Sequence, residues 1–311
     1  MLSVRNLIDT TSLTADDITQ ILDTAQSFAE VNSRAIKKVP ALRGRTIVNL
    51  FLEPSTRTRS SFELAEKRLS ADSLNMGGST SSVVKGESLV DTIKTIAAMN
   101  VDMFVCRARF AGTPALIARS TDARVINAGD GKHQHPTQAL LDLYTIRETF
   151  GRLDGLKVAI VGDLIHSRVV GSLAPALKTM GADVTLVGPP TYQIVDPGWY
   201  GCAQTSDFDS VIGDMDVVYM LRVQLERMEG AAIPSRREYN RLFGLDAERA
   251  ARMKPGAIIC HPGPMNRGME IEAEAADAPN SKVLDQVNAG VAVRMAAMYL
   301  LLGGEDDGVS Y

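Results

Sequence analysis

The stretch TIVNLFLEPSTRTRSSFELAEKRL, Thr46 to Leu69, decides how the chain is read. Its first residues, Thr46 to Leu52, are apolar and partly β-branched, which predicts a short buried strand. Pro54 ends that strand and suits the entry to a helix. Beyond it, Phe62, Ala65, Glu66 and Leu69 keep a mostly apolar helical spacing. Ser60-Ser61-Phe62-Glu63 also fits a capping box, which would start the helix slightly later. On either placement Arg57 and Arg59 stand near its N-terminus, where a cation opposes the helix dipole by about 0.3–1 kcal/mol. The hydroxyls and the first backbone N–H groups of that end are donors as well. A cluster built from donors and cations becomes favourable once an anion fills it, and phosphate is the usual occupant. The competing reading is a solvated basic turn held by a nearby carboxylate such as Glu53.

The same strand-to-helix grammar recurs along the chain. Thr14-Ala15-Asp16-Asp17 caps a helix whose Ile18, Ile21, Leu22, Ala25, Phe28 and Ala29 form one apolar stripe. Strand-like segments follow at 47–52, 72–75, 102–106 and 125–127, with helical segments at 89–99 and 113–119. Pro136 opens a long helix from Thr137 to Phe150. A second series then begins, with strands at 156–161, 183–187, 216–221 and 257–260 and a helix at 167–180. Such alternation predicts α/β architecture with parallel sheets. Two series joined near residue 150 predict two doubly wound parallel-sheet domains, 1–149 and 150–289, and 311 residues suit that number.

Composition narrows the function. With 45% hydrophobic and 23% charged residues the chain is an ordinary globular protein. A net charge of -4 argues against a general nucleic-acid surface, so an anion site has to be a local concentration of positive charge. Cys106, Cys202 and Cys260 are widely spaced and suggest neither a disulfide framework nor a zinc site, which fits a reducing cytoplasm. The N-terminus lacks a signal-peptide apolar core. The most apolar helix, Val291 to Leu302, is interrupted by Arg294 and is too short to span a bilayer, so no membrane association is expected.

In open parallel sheets ligands bind beyond the carboxyl ends of the strands, and polar clusters stand at those ends here. Arg107 directly follows the segment 102–106. In NAGDGKHQHPTQ, Asn127 to Gln138, two glycines permit a tight loop and Pro136 starts a helix, so His135 and Gln138 project from a helix entrance. His133-x-His135 lacks a third ligand at metal spacing. A neutral His135 can instead donate to a carbonyl oxygen. GDLIHSRVVG, Gly162 to Gly171, follows a strand and opens a helix, but G-x-G-x-x-G is absent, so no nucleotide cofactor is expected. Arg168 repeats the pattern of Arg57, a cation at the positive end of a helix. Arg222 and Gln224 follow another strand, and Arg can grip a carboxylate through two parallel hydrogen bonds. In His261-Pro262-Gly263-Pro264 the prolines fix an irregular backbone that can aim carbonyl oxygens at a ligand. The small, polar loop Met76 to Glu87 reads as a lid or arm carrying Ser81 and Lys85 to an anion, or simply as a mobile surface loop.

PSTRTRSSFE, SSVVKGES, NAGDGKHQHPTQALLDLYTI, GDLIHSRV, MLRVQLERM and HPGPMNRG, in this order, resemble the catalytic chains of the carbamoyltransferases, and the R-V-Q and H-P-G-P elements resemble their aspartate branch. Ornithine carbamoyltransferases are similar in the first half but carry a His-Cys-Leu-Pro turn where this chain has His261-Pro262-Gly263-Pro264. Carbamoyl transfer to ornithine or another amine is therefore the second choice. The resemblance implies that Ser55, Thr56, Arg57 and Thr58 form the carbamoyl phosphate loop. It implies that Arg107, His135 and Gln138 bind the carbamoyl and phosphate groups, and that Ser81 and Lys85 reach in from the adjacent subunit of a homotrimer. Arg168, Arg222 and Gln224, with the carbonyls of Pro262 and Gly263 and with Lys85, are implied as the L-aspartate site. Helix 290–303 is expected to pack back on the first domain. The implied reaction forms N-carbamoyl-L-aspartate and phosphate, a step of pyrimidine biosynthesis, with Arg57, Thr58, Lys85, Arg107 and His135 at the reacting atoms and without metal or cofactor. Whether trimers pair with regulatory chains or with another pyrimidine-pathway enzyme is left open.

Overall fold

The computed structural model describes residues 2–77, 87–224 and 235–303. The chain divides into two compact units, one formed by residues up to Leu141 together with Asn288 onward, the other by Asp142–Val287.

The first unit runs α1 (Ala15–Ser33), β1 (Thr46–Phe51), α2 (Thr56–Leu69), β2 (Asp72–Gly77), α3 (Leu89–Ala97), β3 (Met103–Ala108), α4 (Thr113–Ala118), β4 (Arg124–Asp130) and the first turns of α5 (Pro136–Phe150). Its four strands pair in the order β2-β1-β3-β4, and every ladder is parallel. Parallel strands need crossovers, and the helices supply them. β1 and β3 are mostly apolar and β4 is buried along nearly its whole length, and Val48, Leu50, Phe104, Cys106 and Val125 are core residues. The edge of β4 is closed by the N-terminal segment, where Leu7 bridges Ile126 in parallel. Thr14 caps α1 through a complete capping box with Asp17, as its sequence predicts.

The second unit contains β5 (Lys157–Val161), α6 (Arg168–Thr179), β6 (Asp183–Val187), β7 (Ala203–Thr205), β8 (Val217–Met220), α7 (Arg236–Phe243), α8 (Ala247–Arg252), β9 (Ile258–Cys260), α9 (Ala273–Ala276) and the start of α10 (Val283–Leu302). The strands pair in the order β7-β6-β5-β8-β9, again all parallel. The chain is thus built of two doubly wound parallel-sheet units of the α/β class.

Several boundaries move from their sequence expectation. β3 extends to Ala108, so Arg107 belongs to the strand rather than to the loop after it. The helix after Pro54 begins at Thr56, ahead of the Ser60 capping box. β7 is a three-residue edge strand, too short for a periodic signal. α10 begins at Val283, well before the apolar run at Val291, because its first turns carry Asp285, Gln286 and Asn288.

Candidate active site

Each sheet has one place where the strand order reverses direction. In the first, the chain leaves β1 toward β2 and returns across it to β3, so the connections after β1 and β3 diverge and open a crevice at their carboxyl ends. In the second the same divergence falls between β5 and β8. Ligands of open α/β sheets sit at such switch points. The candidate residues stand at both.

At the β1/β3 switch point, Phe51 at the end of β1 is in register with Arg107 on β3, and the Leu52 amide donates to the Arg107 carbonyl at 2.8 Å. The register aims the guanidinium at the start of α2. Arg107 Nη1 lies 3.4 Å from Thr58 Oγ1 and 3.3 Å from the Ala128 carbonyl, and Nη2 lies 3.3 Å from Glu53. Ser55 is the N-cap of α2 but its side chain makes no capping hydrogen bond, and no acid stands in the first turn. By contrast α1, α3, α7 and α8 have a side-chain cap and an acid in the first turn. The N-terminal end of α2, like those of α4 and α6, therefore carries neither a side-chain cap nor an acid, which is a chemistry suited to an anion. Arg57 is exposed on this turn. Its companion Arg59 is engaged elsewhere, 3.4 Å from Glu63 one turn along the helix.

The loop after β4 completes this half. Buried Asp130 holds it together: Oδ1 accepts from Asn127 Nδ2 and from the Gln134 amide, and Oδ2 accepts from the Gly112 amide at 2.7 Å. Gly131 turns the loop at φ +51, where a Cβ would meet the Ala111 amide nitrogen at 2.9 Å. His135 then precedes α5, its carbonyl accepting from the Gln138 and Ala139 amides, and both His135 and Gln138 are buried. His133 faces Asp130, with Nδ1 at 3.1 Å, so the His-x-His pair is split. Among the described residues no group of His, Cys, Asp and Glu is placed to hold a metal ion.

At the β5/β8 switch point, α6 begins at Arg168, which is 5% exposed. Its N-cap Ser167 makes no side-chain cap, and the first turn has no acid. Asp163, fully buried, holds the preceding loop by accepting from the His166 amide and ring Nδ1, at 3.1 and 2.8 Å. The His166 ring stands edge-on to Tyr192, centroids 5.6 Å apart. Gly162 has φ +135, and a Cβ there would press on Leu221 Cβ at 3.1 Å, so the close approach of the two strand ends favours glycine at this position. Arg222 and Gln224 follow β8, both half-buried. Pro262 and Gly263 follow β9 in a turn with Gly263 at φ 60 and a cis peptide before Pro264.

The structure therefore gathers Ser55, Thr56, Arg57, Thr58, Arg107, His135 and Gln138 in one unit, and Arg168, Arg222, Gln224, Pro262 and Gly263 in the other. Ser81 and Lys85 lie outside the described residues. Asp130, Asp163 and His166 escaped the sequence reading. Their signal was an acid three residues before a His in each loop, as in Asp130-x-x-His133 and Asp163-x-x-His166, but such pairs are common on any surface.

This arrangement, a donor-and-cation cluster at the switch point of each of two parallel sheets, is that of an α/β protein suited to anionic ligands. Residues 5–148 match the family described as aspartate/ornithine carbamoyltransferase, carbamoyl-P binding domain, and residues 154–301 match its Asp/Orn binding domain. The chain belongs to the aspartate/ornithine carbamoyltransferase family. It is 56% identical over 301 residues to the aspartate carbamoyltransferase catalytic subunit of Thermobifida fusca, covering 97% of this chain and 96% of that one. An aspartate transcarbamoylase from Trypanosoma cruzi, solved in complex with carbamoyl phosphate and aspartate, superposes with a TM-score of 0.85 at 30% identity, covering 94% of each chain. An ornithine carbamoyltransferase from Pyrococcus furiosus superposes equally well, with a TM-score of 0.86 at 30% identity over 96% of this chain and 97% of that one. Backbone shape alone does not separate the two activities. The higher sequence identity to the aspartate enzyme does.

Proposed function

We propose that this carbamoyltransferase moves the carbamoyl group of carbamoyl phosphate to the α-amine of L-aspartate, giving N-carbamoyl-L-aspartate and phosphate. The observation that carries the choice of acceptor is the pair of guanidinium groups, Arg168 and Arg222, at the second switch point. Aspartate has two carboxylates to meet two cations. Ornithine has one carboxylate and a distal ammonium that a second guanidinium would repel. The ureido product is measured with carbamoyl phosphate and either amine; turnover with ornithine but not aspartate overturns the reading.

In this reading the amides and hydroxyls of Ser55, Thr56 and Thr58, with Arg57, hold the phosphate. Arg107, Thr58 and His135 point donors at the carbonyl oxygen, and Gln138 contacts the carbamoyl group. The neutral amine of aspartate attacks the carbonyl carbon to form a tetrahedral intermediate whose oxygen gathers negative charge. The C–O bond to phosphate then breaks, and the departing phosphate takes the proton released by the amine. Preplaced donors at a developing oxyanion are worth about 3 kcal/mol each in the barrier. Positioning two bound reactants supplies much of the remainder. The carbonyls of Pro262 and Gly263 and the side chain of Gln224 are assigned to the acceptor.

The wider assembly rests on the family resemblance. Ser81 and Lys85 are assigned to the site of a neighbouring subunit in a homotrimer. Three free, buried cysteines support a reducing, cytoplasmic setting. Among the described residues no helix is long and apolar enough to cross a membrane. Pyrimidine biosynthesis is the pathway such a product enters.

A further inference from the structure

One buried polar chain in the second unit has no part in the roles assigned so far. His261 and Glu270 are 1% and 0% exposed. His261 Nδ1 accepts the Gly263 amide at 2.8 Å. An amide N–H only donates, so Nδ1 carries the lone pair, and the proton of the neutral ring sits on Nε2. Nε2 faces Glu270 Oε1 at 3.3 Å. The same Oε1 accepts the Asn266 amide at 2.6 Å, and Asn266 Nδ2 donates to the Val223 carbonyl at 3.0 Å. Val223 lies between Arg222 and Gln224. The chain thus runs from Gly263 through His261, Glu270 and Asn266 to the segment after β8.

Its other end is anchored as firmly. The His261 amide donates to Gln286 Oε1 at 2.9 Å, Gln286 Nε2 donates to Asp142 at 2.7 Å, and the Tyr219 hydroxyl donates to the second Asp142 oxygen at 2.7 Å. Glu270 is flanked by the core residues Met269 and Ile271, and its carbonyl accepts the Leu245 amide at 3.0 Å. A buried carboxylate is costly, the more so here because Glu270 Oε2 has no hydrogen-bond partner among the described residues, so a rigid turn alone would be served better by apolar packing. What this network does that packing cannot is fix the angle between two segments that both end in ligand-facing groups.

We infer that Glu270, acting through His261 and Asn266, is the positioning residue that sets the carbonyls of the Pro262–Gly263 turn against Arg222 and Gln224. The inference rests on the acceptor assignment proposed above and concerns a step that assignment does not address: recognition of the amine, as distinct from the carboxylates. The arginines read carboxylates. The turn offers carbonyl oxygens, which need a donor, and with both carboxylates ionised the amine is the only donor aspartate carries, so the amine is the part of the acceptor that depends on the turn.

The test separates amine from carboxylate. Asn266→Ala and Glu270→Ala are compared with Glu270→Gln, which keeps a carbonyl oxygen in place of Oε1. The Michaelis constant for aspartate is expected to rise about tenfold in the alanine variants, the loss of roughly one well-made hydrogen bond. Inhibition by succinate, a dicarboxylate without an amine, should stay within about twofold, as should the constant for carbamoyl phosphate. Glu270→Gln should return most of the aspartate affinity. Equal weakening of aspartate and succinate would mean a general loosening of the unit and would overturn the inference, as would alanine variants indistinguishable from wild type. Amide hydrogen exchange at Gly263 gives a readout independent of turnover: protected in wild type and Glu270→Gln, fast in Glu270→Ala, with protection in all three overturning the inference. Wild-type turnover measured alongside tests the acceptor assignment separately.

Discussion

Arg107 and Glu53 face each other at the first switch point, with guanidinium and carboxylate 3.3 Å apart. Glu53, the residue just before the PSTRT turn, is the nearby carboxylate that a purely structural account of the cluster requires. The pair is mostly buried, with 12% of the Arg107 side chain and 20% of the Glu53 side chain exposed. At that depth the attraction is largely offset by the cost of desolvating both charges, so the pair orients the arginine, which Thr58 and Ala128 help to hold, more than it stabilises the fold.

Arg107→Ala accordingly separates catalysis from folding. Turnover with carbamoyl phosphate and aspartate should fall at least about a hundredfold, from the loss of one preplaced donor. The variant should still unfold in one cooperative transition, at a lowered melting temperature because Glu53 is left mostly buried without its partner. Near-normal turnover in the variant would remove Arg107 from the reacting atoms.

Arg222→Ala tests the acceptor half. A charge-assisted hydrogen bond to a carboxylate is worth about 1.5–3 kcal/mol, so the Michaelis constant for aspartate should rise between about ten- and a hundredfold. The constant for carbamoyl phosphate should hold. A change confined to carbamoyl phosphate would place Arg222 on the wrong substrate.

The proposed sharing of active sites between chains predicts complementation. Lys85→Ala chains and Arg107→Ala chains, each inactive alone, should regain part of the wild-type activity when mixed into hybrid trimers. Activity that stays absent, with hybrid assembly confirmed by native mass measurement, would place every site within a single chain.

Glu66 ties stability to pH. It is fully buried on the inward face of α2, where Oε2 accepts from Asn49 Nδ2 at 2.9 Å. Burial pushes its carboxyl from the ordinary 4.5 up to about 7, against the pull of that hydrogen bond. Between these values the folded chain holds a proton that the unfolded chain has lost, so stability falls as pH rises through the window and the loss is complete above it. A shift of this size corresponds to about 3 kcal/mol. Glu66→Gln keeps an oxygen for Asn49 and removes the charge. It should gain about 1–3 kcal/mol over wild type at pH 8 and little at pH 5. Urea unfolding at both values decides, and an identical difference at the two would contradict the assignment.

The three cysteines should be silent in the native protein. Burial pushes Cys202 up to about 11 and also pushes Cys106 and Cys260 well up. The thiolate attacks and the thiol does not, and at pH 8 about one Cys202 in a thousand is ionised. An aromatic disulfide reagent should find no fast thiol before denaturant is added and all three afterwards. A fast native thiol would show that burial at one of these positions is incomplete.

Much of the architecture was legible before folding because its determinants are local. β-branched apolar runs of five or six residues, stopped by proline or glycine and followed by a helical period, announce a buried parallel strand and its crossover. Thr14 with Asp17 announced the start of α1 in the same way. The misplaced features were those whose local signal is ambiguous. The Ser60 capping box offered a plausible helix start inside α2, yet the first turn formed at Thr56, directly after Pro54 and without a side-chain cap. Arg107 sat at a predicted strand end, and pairing with β1 drew it into the strand.

The sequence by itself determined the α/β class, the run of motifs, and the chemistry available to each, since periodicity and turn residues act through neighbours a few positions apart. Strand order was decided only in three dimensions. The β2-β1-β3-β4 and β7-β6-β5-β8-β9 arrangements bring Thr58 to Arg107 and place Arg168 and Arg222 at one switch point. Tertiary structure likewise set Arg107 against Glu53 and joined His261, Glu270, Asn266 and Val223. The reason is one of range: an ion pair or a buried hydrogen bond depends on which distant groups the packed sheets leave within about 3 Å of each other, and no local propensity encodes that distance.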